Sequence, residues 1–391
     1  MIKQILKILW NDKKHFGGIL LEQGIVFIVL VICIFSILKK NQQYNTPGNL
    51  AINNMVMLTY MHTKGHGNQY EIYMTGKKFR VIMDNIMNLP YVNNLSRSMY
   101  FAPYLRGDAL YPTDTINIDG YKIRFNLKVA DDATFIGFRP KLIEGDWALA
   151  KNLDDGSFPI IINKQFAEEV KWQTSVGRKL NYEGITYTIV GVVDGIKQQL
   201  FSKSTPTIVM PIMQMRGLYM GEFCINVKEG YKDELIGEFL RQFKKIISDS
   251  NVEPVMVDMD RMQKIQLIDN LFLVAVMAIP TLFFLIFAFI GTFGLFWLNS
   301  KRKRTEYALR LAIGSSKKCL LLYVVTESVL VTLLAILPGL ILIILLYGLN
   351  PFVIISILIS CSVLLMFSIF SSWLPAYKTS TINPANVLHY E

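Results

Sequence analysis

The sequence predicts a membrane protein in which four transmembrane α-helices carry a large α+β extracytoplasmic domain, inserted between the first and the second helix. Apolar residues make up 52% of the 391 residues, too many for an ordinary soluble protein, and charged residues make up 18%, too many for a bundle of membrane helices alone. Four apolar runs are long enough to cross a hydrocarbon core of about 30 Å. Between the first and the second run, residues 41–266 contain no run of that length.

The N-terminal part of the chain predicts a membrane anchor. Residues 1–18 are polar and basic, which predicts a cytoplasmic N-terminus, and residues 19–38 form the first apolar run, the first predicted transmembrane helix. This run lacks a small-residue cleavage site. We therefore expect a retained signal-anchor and not a cleaved signal peptide.

Residues 39–257 predict a folded extracytoplasmic domain, because helical and strand periodicities are mixed along them. Apolar residues recur at helical spacing in 79–87 and again in 235–247. Residues 116–129 alternate between apolar and polar on either side of an Asp-Gly pair, which predicts a β-hairpin. Residues 185–193 are apolar enough for a buried strand. This mixture is typical of an α+β domain.

The remainder of the chain predicts a stalk, three further transmembrane helices and two cytoplasmic segments. No breaker separates the stalk from the second span, so we expect one continuous helix, with Pro280 as the place for a kink. Asn383 followed by Pro384 predicts the start of a short helix in the tail. The predicted segments are a stalk helix at 258–270, the second transmembrane helix at 271–298, a cytoplasmic coupling helix at 299–318, the third transmembrane helix at 319–347, an external turn at 348–351, the fourth transmembrane helix at 352–374 and a cytoplasmic tail at 375–391.

The distribution of charge predicts the orientation of these segments. The net charge is +10, and many of the basic residues lie beside the apolar runs, where the positive-inside rule explains them. The basic cluster at 301–318 outweighs Lys39 and Lys40, so both termini are expected in the cytoplasm of a multi-pass inner-membrane protein. No interleaving of aromatic and basic residues indicates a nucleic-acid partner. Membrane lipid is the surrounding that this pattern implies.

The coupling helix has a charged face and an apolar face. Lys303, Glu306 and Arg310 are spaced by three and four residues, which places them on one side of a helix. Gly314 supplies the residue that ends such a helix. Topology alone can explain the basic residues at 301–304, but it requires neither an acidic residue nor a helix stop. We therefore expect this face to contact a cytosolic partner.

Two carboxylates, Glu22 and Glu327, lie inside the apolar runs. A carboxylate near the middle of a bilayer costs about 2.5–3.5 kcal/mol on insertion scales, although both residues lie only about two turns from the interface. An intramembrane structural ion pair with the basic cluster is favoured over a proton relay. We expect Glu327 to pack against the coupling helix and to fix its angle.

Motifs for catalysis are missing from the sequence. It contains no GxxxxGK[ST] phosphate loop, no GxSxG, no HExxH and no CxxC. Cys224 is the one cysteine predicted outside the spans, so a disulfide framework in the soluble domain is excluded. His62 and His66 are surrounded by glycine and favour a loop over a metal pair. The sequence thus predicts a non-enzymatic chain with no metal site and no cofactor of its own.

Three parts of the chain resemble the ABC-transporter permeases of the MacB and FtsX type. In the outer domain, residues 143–146, 160–167, 176–177 and 189–193 resemble the family's periplasmic core segment. In the tail, Pro375-Ala376 and Ile382-Asn383-Pro384-Ala385 match its C-terminal motif. The signature segment combines basic residues after a span, an Arg-Thr-Glu motif, a small-Gly turn and an acidic residue in the third span. Here those residues are Arg304, Thr305, Glu306, Arg310, Ala312, Gly314 and Glu327.

The resemblance implies a permease that moves its outer domain when a separate cytosolic ABC ATPase, carrying ATP and Mg, closes on the coupling helix. The residues implied in that coupling are Arg304, Glu306, Arg310 and Gly314. It also implies a permease homodimer or heterodimer, with a membrane-fusion protein and an outer-membrane factor as further partners. Efflux of peptides or drug-like compounds is the leading function. Lipoprotein release and FtsX-like regulation of cell-wall hydrolases are the alternatives.

Overall fold

The computed structural model describes residues 13–63, 69–105, 112–151, 153–214 and 221–381. The chain forms two compact units. The head unit is Gln42–Asn270, and the membrane unit combines Met1–Asn41 with Leu271–Glu391. The chain therefore passes between the units at two points, one within the first long helix and one within the helix that follows the last strand.

The described chain forms the following helices and strands in order. They are α1 Lys13–Asn45, β1 Met55–His62, α2 Gln69–Met87, β2 Val92–Met99, β3 Thr113–Ile118, β4 Tyr121–Ala130, α3 Asp132–Phe138, β5 Leu142–Gly145, β6 Phe158–Asn163, α4 Lys164–Glu169, β7 Lys179–Tyr182, β8 Ile185–Val193, β9 Thr207–Pro211, β10 Glu222–Val227, α5 Lys232–Ile246, β11 Val252–Asp258, α6 Met259–Arg302, α7 Arg304–Ala312, α8 Lys317–Tyr347 and α9 Pro351–Ser380.

The described strands of the head unit form one mixed sheet. Its order is β11-β1-β10-β2-β4-β9-β6-β8-β5, with β3 paired to β4 and β7 paired to β8. β4 pairs in parallel with β9, and β6 with β8. The predicted hairpin is confirmed as β3 and β4, which are joined by Asp119 and Gly120 with φ of 50° and 84°. Two positive φ values are what a tight hairpin turn requires.

Helices cover the sheet through aromatic side chains. α2 and α5 meet over one part of it, where the ring centroids of Phe79 and Phe239 lie 5.9 Å apart and those of Phe239 and Phe243 lie 5.7 Å apart. Over another part, Phe166 of α4 packs edge-on against Phe125 of β4 at 6.1 Å. Both helical patterns read from the sequence thus correspond to the buried faces of real helices.

The membrane unit is built from long apolar helices. Four helices of the described chain, α1, α6, α8 and α9, are long and apolar enough to cross a membrane. α6 is one helix of 44 residues that contains Pro280, so the residues predicted as stalk and second span are continuous. α8 begins with a cap in which Ser316 Oγ accepts from the amide of Cys319 at 3.2 Å.

Helix ends differ from the predicted segment bounds at both termini. α1 extends beyond residues 19–38 to Asn45. α9 continues through Pro375 to Ser380, so the chain remains helical past the point predicted as the start of the tail. The short helix predicted after Pro384 and most of the basic N-terminal segment lie outside the described residues.

Candidate functional site

The candidate site is α7 together with the residues that hold it. The C-terminus of α7 forms a complete Schellman motif. The amide of Ser315 donates to the carbonyl of Arg310 at 2.9 Å, and the amide of Gly314 donates to the carbonyl of Leu311 at 3.1 Å. Gly314 has a φ of 102°, which a side chain would strain. The predicted helix stop is therefore confirmed, and α7 is a short helix with a defined end.

One face of α7 is buried within the membrane unit. Tyr307 is 1% exposed and Ala308 is fully buried. Tyr307 belongs to a core cluster that includes Phe296 of α6 and Tyr323 and Val324 of α8. This packing fixes how α7 is rotated against its neighbours, because turning the helix would expose Tyr307.

A buried ion pair joins the start of α7 to α8. Lys303, the residue between α6 and α7, donates from Nζ to Oε1 of Glu327 at 3.0 Å. The Glu327 side chain is 1% exposed and the Lys303 side chain is 16% exposed. The contact between Glu327 and the coupling stretch that the sequence predicts is confirmed. Lys303 was expected to share the charged face of α7, and the structure corrects this by turning it inward to Glu327.

The other two members of the predicted charged face bind each other. Arg310 donates to Glu306 at 2.6 Å, one helical turn apart. The Arg310 guanidinium also lies 4.5 Å from the centroid of the Tyr323 ring, so the side chain is held from two sides. Arg304 is exposed at the first position of the helix. Glu306 and Arg310 thus present a paired charge to solvent, and Arg304 adds a positive one.

Sequence reasoning missed two apolar residues on the outer side of α7. Leu309 is 50% exposed and Ile313 is 77% exposed. They are spaced by four residues and therefore neighbour each other on the helix surface. Their exposure could have been predicted, because Leu309 and Ile313 fall outside the apolar stripe formed by Tyr307 and Leu311. An exposed apolar pair beside charged residues is typical of the centre of a docking face.

The second intramembrane carboxylate is held differently from the first. Glu22 of α1 lies against Gly291 of α6, where a Cβ atom would come within 2.9 Å of its Oε2. Within the described part of the chain, Oε1 of Glu22 has no hydrogen-bond partner. The neighbouring Gln23 donates to Thr292 at 3.0 Å. Glu327 thus forms the ion pair that the sequence predicts for both glutamates. Among the described residues, no ion-pair partner is found for Glu22.

Binding of a metal ion would need several ligating side chains close together in the part of the chain that the structure describes. No group of three or more His, Cys, Asp and Glu side chains there is arranged to hold an ion. The described residues at α7 offer paired charges and an exposed apolar pair.

Comparisons with known proteins identify two regions of the chain. Residues 24–241 match the model of the MacB-like periplasmic core domain, and residues 278–384 match that of the FtsX-like permease C-terminal region. No curated protein matches the sequence.

Two solved structures are similar to part of the chain. The extracellular domain of the ABC-type transporter YknZ from Gram-positive bacteria is 12% identical, with a TM-score of 0.37. The match covers 52% of this chain and 100% of the YknZ chain. The periplasmic region of MacB from Actinobacillus actinomycetemcomitans is 9% identical, with a TM-score of 0.38, and covers 55% of this chain and 92% of its own.

Proposed function

Because the chain belongs to the ABC-type permeases of the MacB and FtsX family, we propose that it couples ATP hydrolysis by a separate cytosolic ATPase to a conformational change of its head unit. The permease is a multi-pass protein of the inner membrane, and subunits of this type are generally non-catalytic. In this proposal both termini and α7 lie in the cytoplasm, and the head unit lies outside. ATP and Mg are bound by the partner ATPase.

The observation that carries the proposal is the two-sided character of α7. Its inner side is fixed by Tyr307 and Ala308, while Leu309 and Ile313 are exposed on its outer side. A loop that only sets topology needs basic residues, but not a defined helix with an exposed apolar pair. Burial of the exposed parts of both side chains in a partner groove would contribute about 3 kcal/mol. Arg304 and the Glu306–Arg310 pair would then form the polar rim.

The chain is also continuous from this docking face to the head unit. Lys303 follows directly on α6, and its pair with Glu327 ties the start of α7 to α8. α6 then runs unbroken from Arg302 back to Met259, where the last strand of the head unit ends. A displacement of α7 by an ATPase would therefore move a continuous helix, which is the physical requirement for transmitting force through the membrane.

Efflux of peptides or drug-like compounds is the activity we propose, supported by the MacB-like character of the head domain. In that case the complex contains two permease chains, identical or different, with a membrane-fusion protein and an outer-membrane factor. A partner reaching the outer membrane distinguishes efflux from lipoprotein release and from hydrolase regulation. Affinity purification of the tagged full chain, followed by identification of bound envelope proteins, tests this assignment.

The docking face is tested by the ATPase that co-purifies with the full chain. We expect the double variant L309S/I313S to lower its affinity by about 100-fold, since each 1.4 kcal/mol lost is a factor of ten. The control is Ala312→Ser, an exposed change on the same helix that removes no large side chain. A retained affinity in L309S/I313S would contradict the proposal.

A second variant distinguishes recognition of the charges by the ATPase from loss of helix stability. E306K/R310E reverses the order of the pair, so both charges can still meet within α7. We expect weaker ATPase binding because the partner meets the opposite pattern of charge, while the folded permease is recovered in normal yield. Unchanged binding in this variant would show that the charged rim is not recognised.

A further inference from the structure

One loop of the head unit contacts both chain segments that lead to the membrane unit. This segment, residues 195–204 between β8 and β9, is called the clasp. On one side it meets the C-terminal turn of α1, and on the other it meets the first turns of α6. These two contacts lie within the head unit: the clasp meets Gln43 and Tyr44 on the first side and Gln266 on the second.

Lys197 forms the contact with α1. Its Nζ donates to the carbonyls of Gln43 at 2.8 Å and Tyr44 at 3.0 Å, both in the last turn of the helix, which ends at Asn45. The carbonyls of a last turn lack helical partners and carry partial negative charge, so a cation is favourable there. Lys197 is 1% exposed, and this burial lowers the pKa of its ammonium group to about 8.

The backbone brings the clasp unusually close to the exit of α1. The amide of Lys197 donates to the carbonyl of Gly48 at 2.9 Å. Gly48 has a φ of 111°, and a Cβ atom at this position would lie 2.9 Å from the carbonyl carbon of Gly195. Glycine is therefore required at position 48. Gly48 and the clasp cannot move apart without breaking the hydrogen bond between Lys197 and Gly48.

Gln266 forms the contact with α6. Its Oε1 accepts from the amide of Leu200 at 2.9 Å, and its Nε2 donates to Oε1 of Gln199. Gln199 in turn donates to the carbonyl of Leu105 at 3.0 Å. Next to this network, the rings of Tyr44 and Phe201 pack with centroids 5.5 Å apart. The same short loop therefore holds the end of α1 and the start of α6.

The clasp is itself anchored in the core of the head. Ile196 and Leu200 are 1% and 3% exposed and belong to its largest buried cluster. Ser204 Oγ accepts from the amide of Ile196 at 3.0 Å and from Asn163 of β6 at 3.1 Å. A movement of either long helix at this point is therefore applied to the sheet through the clasp.

We propose that the clasp links the two membrane-bound helices to the head, with Lys197 and Gln266 as positioning residues for the conformational change. The inference rests on the proposed function for its purpose, but the contacts can be tested without it. In Lys197→Met the stem of the side chain is kept and the charged group is lost. In Lys197→Arg a cation is restored.

The first experiment measures amide hydrogen exchange of the full chain in lipid nanodiscs without nucleotide. In Lys197→Met we expect protection of residues 43–46 to fall by about tenfold, while protection of β6 and β9 is unchanged. Lys197→Arg should restore it. The matched control is Lys141→Met, which removes an exposed lysine paired with Asp194 at 3.4 Å beside the base of the clasp. Unchanged protection at 43–46 in Lys197→Met would overturn the inference.

The second experiment adds ATP to the complex with the co-purifying ATPase and follows the same amides. In the wild type we expect ATP-dependent changes in β6 and β9, and in Lys197→Met we expect these to disappear while ATP hydrolysis continues. If wild-type β6 and β9 do not respond to ATP although the ATPase is bound, the proposed function fails for a reason separate from the clasp. If they respond equally in Lys197→Met, the positioning role of Lys197 is refuted.

Discussion

The ion pair between Lys303 and Glu327 makes an asymmetric prediction about its two partners. Lys303→Met removes the cation and leaves the Glu327 carboxylate 1% exposed and uncompensated. Loss of one partner of a buried pair costs about 3–5 kcal/mol, and we take about 3 because Lys303 is partly exposed. In Glu327→Gln the remaining ammonium can extend to solvent along its flexible stem, so we expect a cost of about 1 kcal/mol.

The double variant K303M/E327Q tests whether the cost comes from the uncompensated charge. It removes both charges and keeps side chains of similar size, so its stability should be close to that of Glu327→Gln. The corresponding coupling energy is about 3 kcal/mol, because the double variant loses about 1 kcal/mol where the two single losses add to about 4, and the double variant is more stable than Lys303→Met alone. A merely steric role of the two side chains would instead give additive losses.

Thermal unfolding in detergent can be followed through the free cysteines. Cys33 and Cys224 are buried, so a thiol-reactive dye reports their exposure on unfolding. Cys319 is exposed and Cys361 is half-buried, so both are replaced by Ser in every protein compared to remove their background. We expect the melting temperature of Lys303→Met to be the lowest of the four proteins. Equal melting temperatures for Lys303→Met and Glu327→Gln, with a further fall in the double variant, would refute the reasoning.

Two glycine substitutions give further predictions with matched controls. Gly314→Ala places a side chain at a φ of 102° and should lower the free energy of unfolding by about 1 kcal/mol and weaken ATPase binding. Its control is Gly237→Ala, inside α5 with open space at Cβ. This control should leave ATPase binding unchanged and should leave stability unchanged or slightly improved. Gly339→Ala would put Cβ 2.8 Å from the fully buried ring of Phe27 and should destabilise the contact of α1 with α8 by about 1–2 kcal/mol. Gly294→Ala, where nothing lies within 4 Å, is its control, and equal melting temperatures for these two variants would contradict the predicted packing.

Element types could be predicted from the sequence because each has a local cause. The hairpin at 116–129 depends on alternation and on an Asp-Gly turn, and the end of α7 depends on Gly314. The strand order could not be predicted in this way. β1 pairs with β10 and β11, which follow it by more than 150 residues, and no local pattern encodes such a pairing. Lys197 and Gln43 are likewise separated by 154 residues, so the clasp is visible only in the folded chain.

The candidate site shows why helical periodicity alone gives an incomplete picture of a contact surface. The spacing of Lys303, Glu306 and Arg310 predicts that they lie on one face of the helix. It does not show which of these charges form ion pairs within the chain. Lys303 is bound to Glu327, and Glu306 is bound to Arg310. A charge that is already paired contributes less to an external partner than its position suggests, because the existing contact must be exchanged for the new one. Leu309 and Ile313 are exposed apolar side chains and form no ion pair that must be exchanged, so they are expected to supply most of the affinity and the charges most of the specificity.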